Sequence, residues 1–180
     1  TERKKAEQAL AESEQRYRNL IENAPDVIFT IAPDGTITSL NPAFERITGW
    51  LQSEWLGKQF TSVLHPDDLS RGLEFFQRIL KGEKTAPFEL RVFRKSGDYL
   101  TAEFTVTPQT QNGSVIGMLG IARDITERKA AEERMRVQSA ALGAAANAII
   151  ITDHEGMIEW TNPAFTVLTG YSHLEVIGRN

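Results

Sequence analysis

The sequence contains Asn41-Pro42-Ala43-Phe44 followed by Thr48-Gly49-Trp50, and it returns to this pattern as Asn162-Pro163-Ala164-Phe165 followed by Thr169-Gly170-Tyr171. The offset, counted from Gly49 to Gly170, is 121 residues and holds without a gap from about residue 24 to residue 180. A second repeat, 1–7 returning as 126–132, has an offset of 125 residues. Periods this long exceed those of solenoid repeats, so the sequence predicts tandem domains, each preceded by a linker.

The two repeats divide the chain into four predicted segments. They are an N-terminal linker or coiled-coil helix at 1–23, a complete domain at 24–125, a linker helix at 126–144, and the first half of a second domain at 145–180. A unit of about 100 residues is long enough to build its own core. The half-domain is expected to expose sheet edges and apolar surface, and therefore to be disordered or to be completed by another chain.

Composition excludes several classes of function. Hydrophobic residues make up 41% of the chain and charged residues 24%, as in an ordinary globular protein, and the net charge of −4 gives no electrostatic reason to expect nucleic acid. The sequence has no apolar run long enough to be a membrane segment. Because there is no cysteine, disulfides, iron–sulfur ligation and thiol nucleophiles are excluded.

The first helix carries a narrow apolar seam. Its positions, in steps of four and three residues, are Ala6, Leu10, Ser13, Tyr17 and Leu20. This is the heptad spacing of a two-stranded coiled coil, so we expect a homodimer with Leu10, Tyr17 and Leu20 as dimerisation residues. The alternative is a helix that lies on its own domain.

The first complete domain is predicted to be α+β with a five-stranded antiparallel sheet. Alternating or continuous apolar runs and turn residues predict strands at 27–31, 36–40, 99–106 and 115–121, another strand before Lys95, short helices after Asn41, and a longer helix from His65 to about Lys81. Asn41 is expected to cap the helix that begins at Pro42. The 115–121 strand is apolar nearly throughout, which predicts a central strand covered on both faces.

Two later strands supply the predicted interior. Their inward positions are Phe88, Leu90 and Val92, with Leu100, Ala102, Phe104 and Val106. None is ionisable, so the interior is suited to an apolar ligand or to a closed packed core. Glu89, Arg91 and Glu103 face outward and are expected to form a solvated or partner-facing surface.

Taken in order, the motifs resemble the PAS sensory domain with its C-terminal PAC half, completely over 24–126 and as a first half over 145–180. The resemblance rests on Asp34-Gly35, Asn41-Pro42-Ala43-Phe44, Thr48-Gly49-Trp50, Leu56-Gly57, His65-Pro66-Asp67-Asp68, Lys95-Ser96-Gly97 and Asp124-Ile125-Thr126-Glu127-Arg128. It implies a PAS fold, with short helices on one face of the sheet and amphipathic helices at both ends. In this family an Asp-x-Thr motif ties the last strand to the outgoing helix, so Asp124 and Thr126 are the expected relay residues.

The resemblance also implies a function. PAS domains are sensory and relay modules of bacterial signal-transduction proteins, including the histidine kinases of two-component systems and diguanylate cyclases. We therefore expect a cytoplasmic module that binds a small ligand or cofactor, or dimerises, and passes conformational change to an output domain. The alternative is a ligand-free dimerisation spacer. The ligand, the output domain and membrane attachment of the longer protein are left open by the sequence.

The cofactor expectations follow from residue types. The helix after His65 has no His, Met, Cys or Tyr beyond Asp67 to act as an axial ligand, which argues against haem in the first domain. A cysteinyl-flavin adduct is excluded because the chain has no cysteine. A non-covalent flavin stays open, and the second domain favours it slightly more than the first. Cofactor-binding candidates are Asn41, Phe44, Trp50, Phe76 and Phe104. His65, Asp67 and Asp68 fit a helix N-terminus better than a metal site. Nothing predicts a phosphate loop or a catalytic residue, so we expect no enzymatic reaction in this chain.

Overall fold

The computed structural model of the protein describes residues 2–180, including every side chain except those of Glu2 and Ala6. Thr1, which opens the linker repeat, and the Ala6 side chain of the predicted seam therefore lie outside the described residues. The chain divides into two compact units, one ending at Thr126 and one running from Glu127 to Asn180.

The first unit is built on one antiparallel sheet, as predicted. In chain order its elements are α1 (Glu2–Glu22), β1 (Val27–Ile31), β2 (Ile37–Leu40), α2 (Ala43–Thr48), α3 (Gln52–Trp55), 3₁₀ turns at Phe60–Val63 and Pro66–Asp68, α4 (Leu69–Leu80), β3 (Phe88–Phe93), β4 (Tyr99–Gln111) and β5 (Ser114–Asp124). The strand order is β2-β1-β5-β4-β3, and all neighbours are antiparallel. The α+β class and the five strands are confirmed.

The end of α2 was predicted correctly, whereas the start of α4 was not. Gly49 closes α2 with φ 77°, a left-handed conformation that glycine adopts without a Cβ clash, and its N–H donates to the Glu45 carbonyl. The helix expected from His65 is shorter than predicted, because Pro66–Asp68 forms a 3₁₀ turn before α4. His65 Nδ1 accepts a hydrogen bond from the Asp67 N–H at 3.2 Å, so His65 caps that turn.

β4 continues five residues beyond the predicted end at Val106, passing through Pro108 to Gln111. Proline is tolerated there because β3 pairs with β4 only as far as Phe104. Beyond that point one edge of β4 pairs with no strand of the described residues, so the missing N–H of Pro108 breaks no ladder on that side.

β5 is the central strand, as predicted, but the prediction that both of its faces are covered is wrong. On the inner face Met118 and Ala122 are buried, whereas on the outer face Leu119 is 38% exposed and Ile121 43%. The apolar run indicated the strand's central position correctly. It did not distinguish side chains packed inside the unit from those left at its surface.

The core lies between the inner face of the sheet and the helices. Six of the seven predicted inward positions are buried, namely Phe88, Leu90, Val92, Leu100, Ala102 and Val106, and Phe104 is half-buried. Phe88 stacks on Phe104 with ring centroids 5.7 Å apart and on Phe75 of α4 at 3.8 Å. The alternating pattern of β3 and β4 thus predicted the core correctly.

The second unit repeats the first elements of the first. It contains most of α5 (Thr126–Ala144), then β6 (Ile150–Thr152), β7 (Ile158–Thr161), α6 (Pro163–Thr169) and α7 (His173–Val176). β6 and β7 form a two-stranded antiparallel sheet. Val167 and Leu174 are each 88% exposed, so the expected exposed apolar surface is confirmed. Disorder of this half-domain in solution, or its completion by another chain, stays a prediction.

The predicted seam of α1 is exposed, with Leu10, Tyr17 and Leu20 each more than 60% accessible. Across the described residues, no helix combines the length and the apolar character needed to cross a bilayer.

Candidate functional site

An internal cavity of about 100 Å³ lies between the sheet and the helices of the first unit. Every strand of the sheet contributes side chains to its wall, and α2 and α4 cover it from the other side. Its wall includes the apolar side chains of Phe29, Leu90, Leu100, Ala102, Phe76 and Ile79. The predicted inward positions of β3 and β4 all line this cavity.

The wall is apolar apart from Thr48 and Asp124. The Thr48 hydroxyl donates to the Phe44 carbonyl at 2.7 Å and accepts from the Trp50 N–H at 3.3 Å, so it is used within α2 and its end. Asp124 is likewise hydrogen-bonded, to Thr126 and Arg94. The cavity therefore offers a ligand contact area but little hydrogen-bonding capacity.

The five predicted cofactor-binding residues separate into two groups. Phe44, Phe76 and Phe104 line the cavity, whereas Asn41 and Trp50 do not. The Trp50 Nε1–H donates to the Phe93 carbonyl at 3.3 Å, and the Trp50 ring packs edge-on against Trp55 with centroids 5.7 Å apart. Trp50 is thus part of an aromatic cluster beside the cavity.

Asn41 does not cap α2 through its side chain, so that prediction is wrong for the first unit. Its Oδ1 accepts from the Ile28 N–H at 2.9 Å, and its Nδ2 donates to the Ile21 and Asp26 carbonyls at 3.0 Å each. In the second unit the corresponding Asn162 does cap α6, since its Oδ1 accepts from the Phe165 N–H at 3.1 Å. Capping of the following helix through the side chain is therefore a property of Asn162 and not of Asn41.

The cavity is smaller than the cofactors that the resemblance raised, and a non-covalent flavin stays a prediction. Pockets that bury drug-sized ligands have volumes of roughly 300–1,000 Å³, so a flavin or a haem would require the core to open. The wall carries one residue of the types that ligate haem, Met118, and it is fully buried. The part of the chain that the structure describes holds no cluster of His, Cys, Asp or Glu suited to a metal ion.

The two predicted relay residues meet at the start of α5. Asp124 Oδ1 accepts from the Thr126 N–H at 2.9 Å and from the Thr126 hydroxyl at 2.6 Å. The Thr126 Oγ1 in turn accepts from the Thr101 N–H of β4 at 3.0 Å. Asp124 thus satisfies a free N–H at the helix start, while Thr126 holds that start against the sheet.

Arg94, which the sequence did not single out, completes this arrangement. Its Nη2 donates to Asp124 Oδ2 at 2.8 Å, and both side chains are little more than one quarter exposed. Arg94 and Asp124 are 30 residues apart, and the only sequence signal was a basic residue beside the Lys95-Ser96-Gly97 turn. We call Arg94, Asp124 and Thr126 the outgoing-helix junction.

The acidic residues after His65 form an ion pair that the sequence also did not reveal. Asp68 accepts from Arg91 Nε and Nη2 at 2.9 Å each and from the Arg91 N–H at 2.8 Å. The hydrogen bonds from the Arg91 guanidinium are the main cause that lowers the pKa of Asp68 to about 2. Arg91 was expected on a solvated or partner-facing surface. Its side chain is 40% exposed, and it also ties β3 to the turn that begins α4.

Comparison with known proteins agrees with this geometry. The family model for the PAS fold matches residues 15–125 and again 136–180. The methanogenesis regulatory histidine kinase FilI of Methanothrix harundinacea is 32% identical over 84% of this chain and 18% of its own length. The probable diguanylate cyclase DgcE of Escherichia coli is 26% identical over 69% of this chain and 11% of its own.

Among solved structures, the PAS domain of an HTR-like protein from Haloarcula marismortui is similar to this chain with a TM-score of 0.59 and 29% identity. The similarity covers 68% of this chain and 99% of that one. In contrast, the chain spans less than a quarter of the length of the first curated relatives it matches, FilI and DgcE included.

Proposed function

Because the chain belongs to the PAS family, we propose that it is a sensory and signal-relay module of a longer signal-transduction protein. A small ligand in the cavity of the first unit alters the sheet, and the outgoing-helix junction passes the change to α5. The output reaction, histidine phosphorylation or cyclic-dinucleotide synthesis by analogy with FilI and DgcE, belongs to the longer protein and lies outside this chain. We propose a cytoplasmic location for the module and leave the membrane attachment of the longer protein open.

One observation carries this proposal. Asp124 is on the cavity wall and also accepts the hydrogen bonds that hold the first turn of α5. A ligand that displaces the end of β5 therefore changes the anchoring of α5 directly. No intermediate element is needed between ligand and helix.

The ligand that suits this cavity is small, uncharged and apolar. An engineered apolar cavity of about 150 Å³ binds benzene or xenon, and the cavity here, at about 100 Å³, is somewhat smaller. A charged metabolite would lose hydration without gaining partners, because Thr48 and Asp124 are already hydrogen-bonded.

We also propose that the module works as a homodimer. Exposed apolar residues on α1, Leu10, Tyr17 and Leu20, have the spacing of a coiled-coil seam. The outer face of β5 adds Leu119 and Ile121, which a second chain would cover favourably.

The competing function is a dimerisation spacer that binds nothing, which the small volume of the cavity favours. A spacer needs the helices and the sheet but no ligand. Mass spectrometry of small molecules released on denaturation, together with a visible absorption spectrum, separates the two. Release of one apolar molecule per chain supports sensing. A coloured cofactor would contradict the proposal that the cavity takes a small apolar ligand.

Purification removes volatile ligands, so a second measurement is needed. We expect xenon or benzene, added to the purified chain, to shift NMR signals of Leu100 and Ile79 methyl groups in a saturable way. Signals of α5 near Thr126 should shift with the same saturation curve. Saturable shifts at the cavity with an unchanged α5 would refute relay, and no saturable shift at all would leave the spacer as the function.

A further inference from the structure

The last carbonyl groups of a helix have no partner within the helix, so something else has to satisfy them. At the end of α1 the Ile21 carbonyl accepts a long hydrogen bond from the Ala24 N–H at 3.4 Å and a shorter one, at 3.0 Å, from Nδ2 of Asn41, 20 residues further along the chain. The same Nδ2 donates to the Asp26 carbonyl, and Oδ1 accepts from the Ile28 N–H of β1 at 2.9 Å. One buried carboxamide, 3% exposed, thus joins the helix end, the connection and the first strand.

The second unit repeats this arrangement. Asn162 is 1% exposed, its Nδ2 lies 3.3 Å from the Leu142 carbonyl of α5 and 2.9 Å from the Asn147 carbonyl, and its Oδ1 accepts from the Ile149 N–H at 2.9 Å. A further contact reaches the Ala145 carbonyl at 3.2 Å. Three of these partners, all but Ala145, lie at the positions that the 121-residue offset predicts from those of Asn41.

The partners in both units are backbone atoms, so their own side chains are free to differ. Ile21 corresponds to Leu142, and Asp26 to Asn147. The asparagine is shared because only a short carboxamide offers one acceptor and two donors from the same position.

A second contact at the end of α1 is not shared. Arg46 Nη2 donates to the Ala24 carbonyl at 2.7 Å, but the residue 121 positions later is Val167, which is 88% exposed. The asparagine is therefore the side-chain connection that both units have in common.

We propose that Asn41 and Asn162 are positioning residues that couple the incoming helix of each unit to its sheet. We call each asparagine with its backbone partners an incoming-helix junction. α5 then carries a side-chain junction at both ends, with Asp124 holding its start and Asn162 bonded near its end. This role rests on the proposed relay function, but it concerns how a helix is attached and does not depend on any ligand.

The test is the Asn41→Asp variant of the full chain. Aspartate keeps an acceptor for the Ile28 N–H but replaces the donors with an oxygen that faces the Ile21 and Asp26 carbonyls. Asn23→Asp is the matched control, since Asn23 is exposed at the same helix end and donates only to the Asn19 carbonyl within its own helix.

The readout is the position of α1 relative to the sheet. The natural chain has no cysteine, so Gln15→Cys and Gln111→Cys, both at exposed positions, allow clean spin labelling, with unlabelled chain in excess to suppress signals between chains. We expect the distance distribution to broaden about twofold or more in Asn41→Asp and to stay unchanged in Asn23→Asp. If Asn41 only stabilised the fold, its loss would lower the melting temperature without broadening the distribution well below it, and that result would overturn the proposal.

The second unit provides an independent test of the proposal, which can be made even if the Asn41→Asp variant does not fold. Asn162 is itself buried, so replacing its donors with an oxygen that faces backbone carbonyls should cost about 1–3 kcal/mol, and amide exchange at residues 142–149 should accelerate about tenfold or more in Asn162→Asp. The control is Asn147→Asp, a charge change at an exposed side chain of the same region. Equal exchange in the two variants would refute the proposal. Absence of ligand binding would refute the sensing function and leave both readouts unaffected.

Discussion

Replacing Ala102 by valine tests whether the cavity is real free volume. Ala102 lies on the cavity wall at 2% exposure, and valine at this position adds two methyl groups on a strand, where β-branched residues are favoured. If the methyl groups enter the cavity, each buried carbon contributes about 0.8 kcal/mol, so the unfolding free energy should rise by about 1.5 kcal/mol. If the core is closed, overpacking should lower it by about 1–3 kcal/mol. The sign of the change therefore decides between the two descriptions.

The assay is urea unfolding followed by the fluorescence of Trp50 and Trp55, in a background where Trp160 of the second unit is replaced by phenylalanine. With an m-value of roughly 1–3 kcal/mol/M, the Ala102→Val variant should raise the midpoint by roughly 0.5–1.5 M at unchanged m. Thr105→Val, at an exposed position on the same strand, is the control and should change the free energy of unfolding by less than about 0.5 kcal/mol. A lower midpoint in Ala102→Val would refute the free volume, and the ligand proposal with it.

Three further predictions concern charge, the outgoing-helix junction and pairing. The pKa of Asp68 is about 2 against an ordinary 3.8, so its ion pair with Arg91 contributes its full stability above about pH 4 and loses it as the pH falls towards 2. Urea unfolding should therefore show that the protein loses about 1–2 kcal/mol over this range, a figure discounted for the exposure of Arg91, and that the Asp68→Asn variant does not. Parallel pH profiles for the two proteins would contradict this. Thr126→Val should accelerate amide exchange in the first turn of α5 while the sheet stays protected, and unchanged exchange would count against the junction. Cysteine at Leu10 or at Tyr17 should give disulfide-linked chains if α1 pairs in parallel, whereas a dimer that is not linked at either position would exclude that register.

The regular elements were predictable because local pattern determines them. α1 and α5 follow from the linker repeat, and the β1–β2 and β3–β4 hairpins follow from their turn residues. The end of β4 was not predictable in the same way. Whether Pro108 stops a strand depends on which edges are paired there, and that is a property of the whole sheet.

The outer face of β5 shows a second limit. A continuous apolar run is expected when both faces of a strand are buried, but Leu119 and Ile121 are exposed in this chain. The pattern shows that these positions tolerate burial. It does not specify whether the cover comes from the same chain or from another one.

The candidate site was predictable in its apolar wall but not in its polar connections. The inward residues follow from strand alternation, whereas Asn41 and Arg94 act on partners about 20 to 30 residues away. The partners of Asn41 are backbone atoms, which leave no signature in sequence. The repeat did mark the asparagine as shared between the units, and only the structure shows what the two copies have in common.

The two helix junctions of the first unit lie on neighbouring strands. Asn41 bonds to Ile28 in β1, and Ile28 pairs directly with Ile121 in β5, three residues before Asp124. A displacement of α1 can therefore reach the start of α5 through one strand pair without crossing the cavity. A ligand in the cavity would contact the same two strands from inside, so on the proposed function it would modulate this connection without being required for it. We therefore expect helix coupling and ligand sensing to be separable, so that a variant with a filled cavity keeps the first and loses the second.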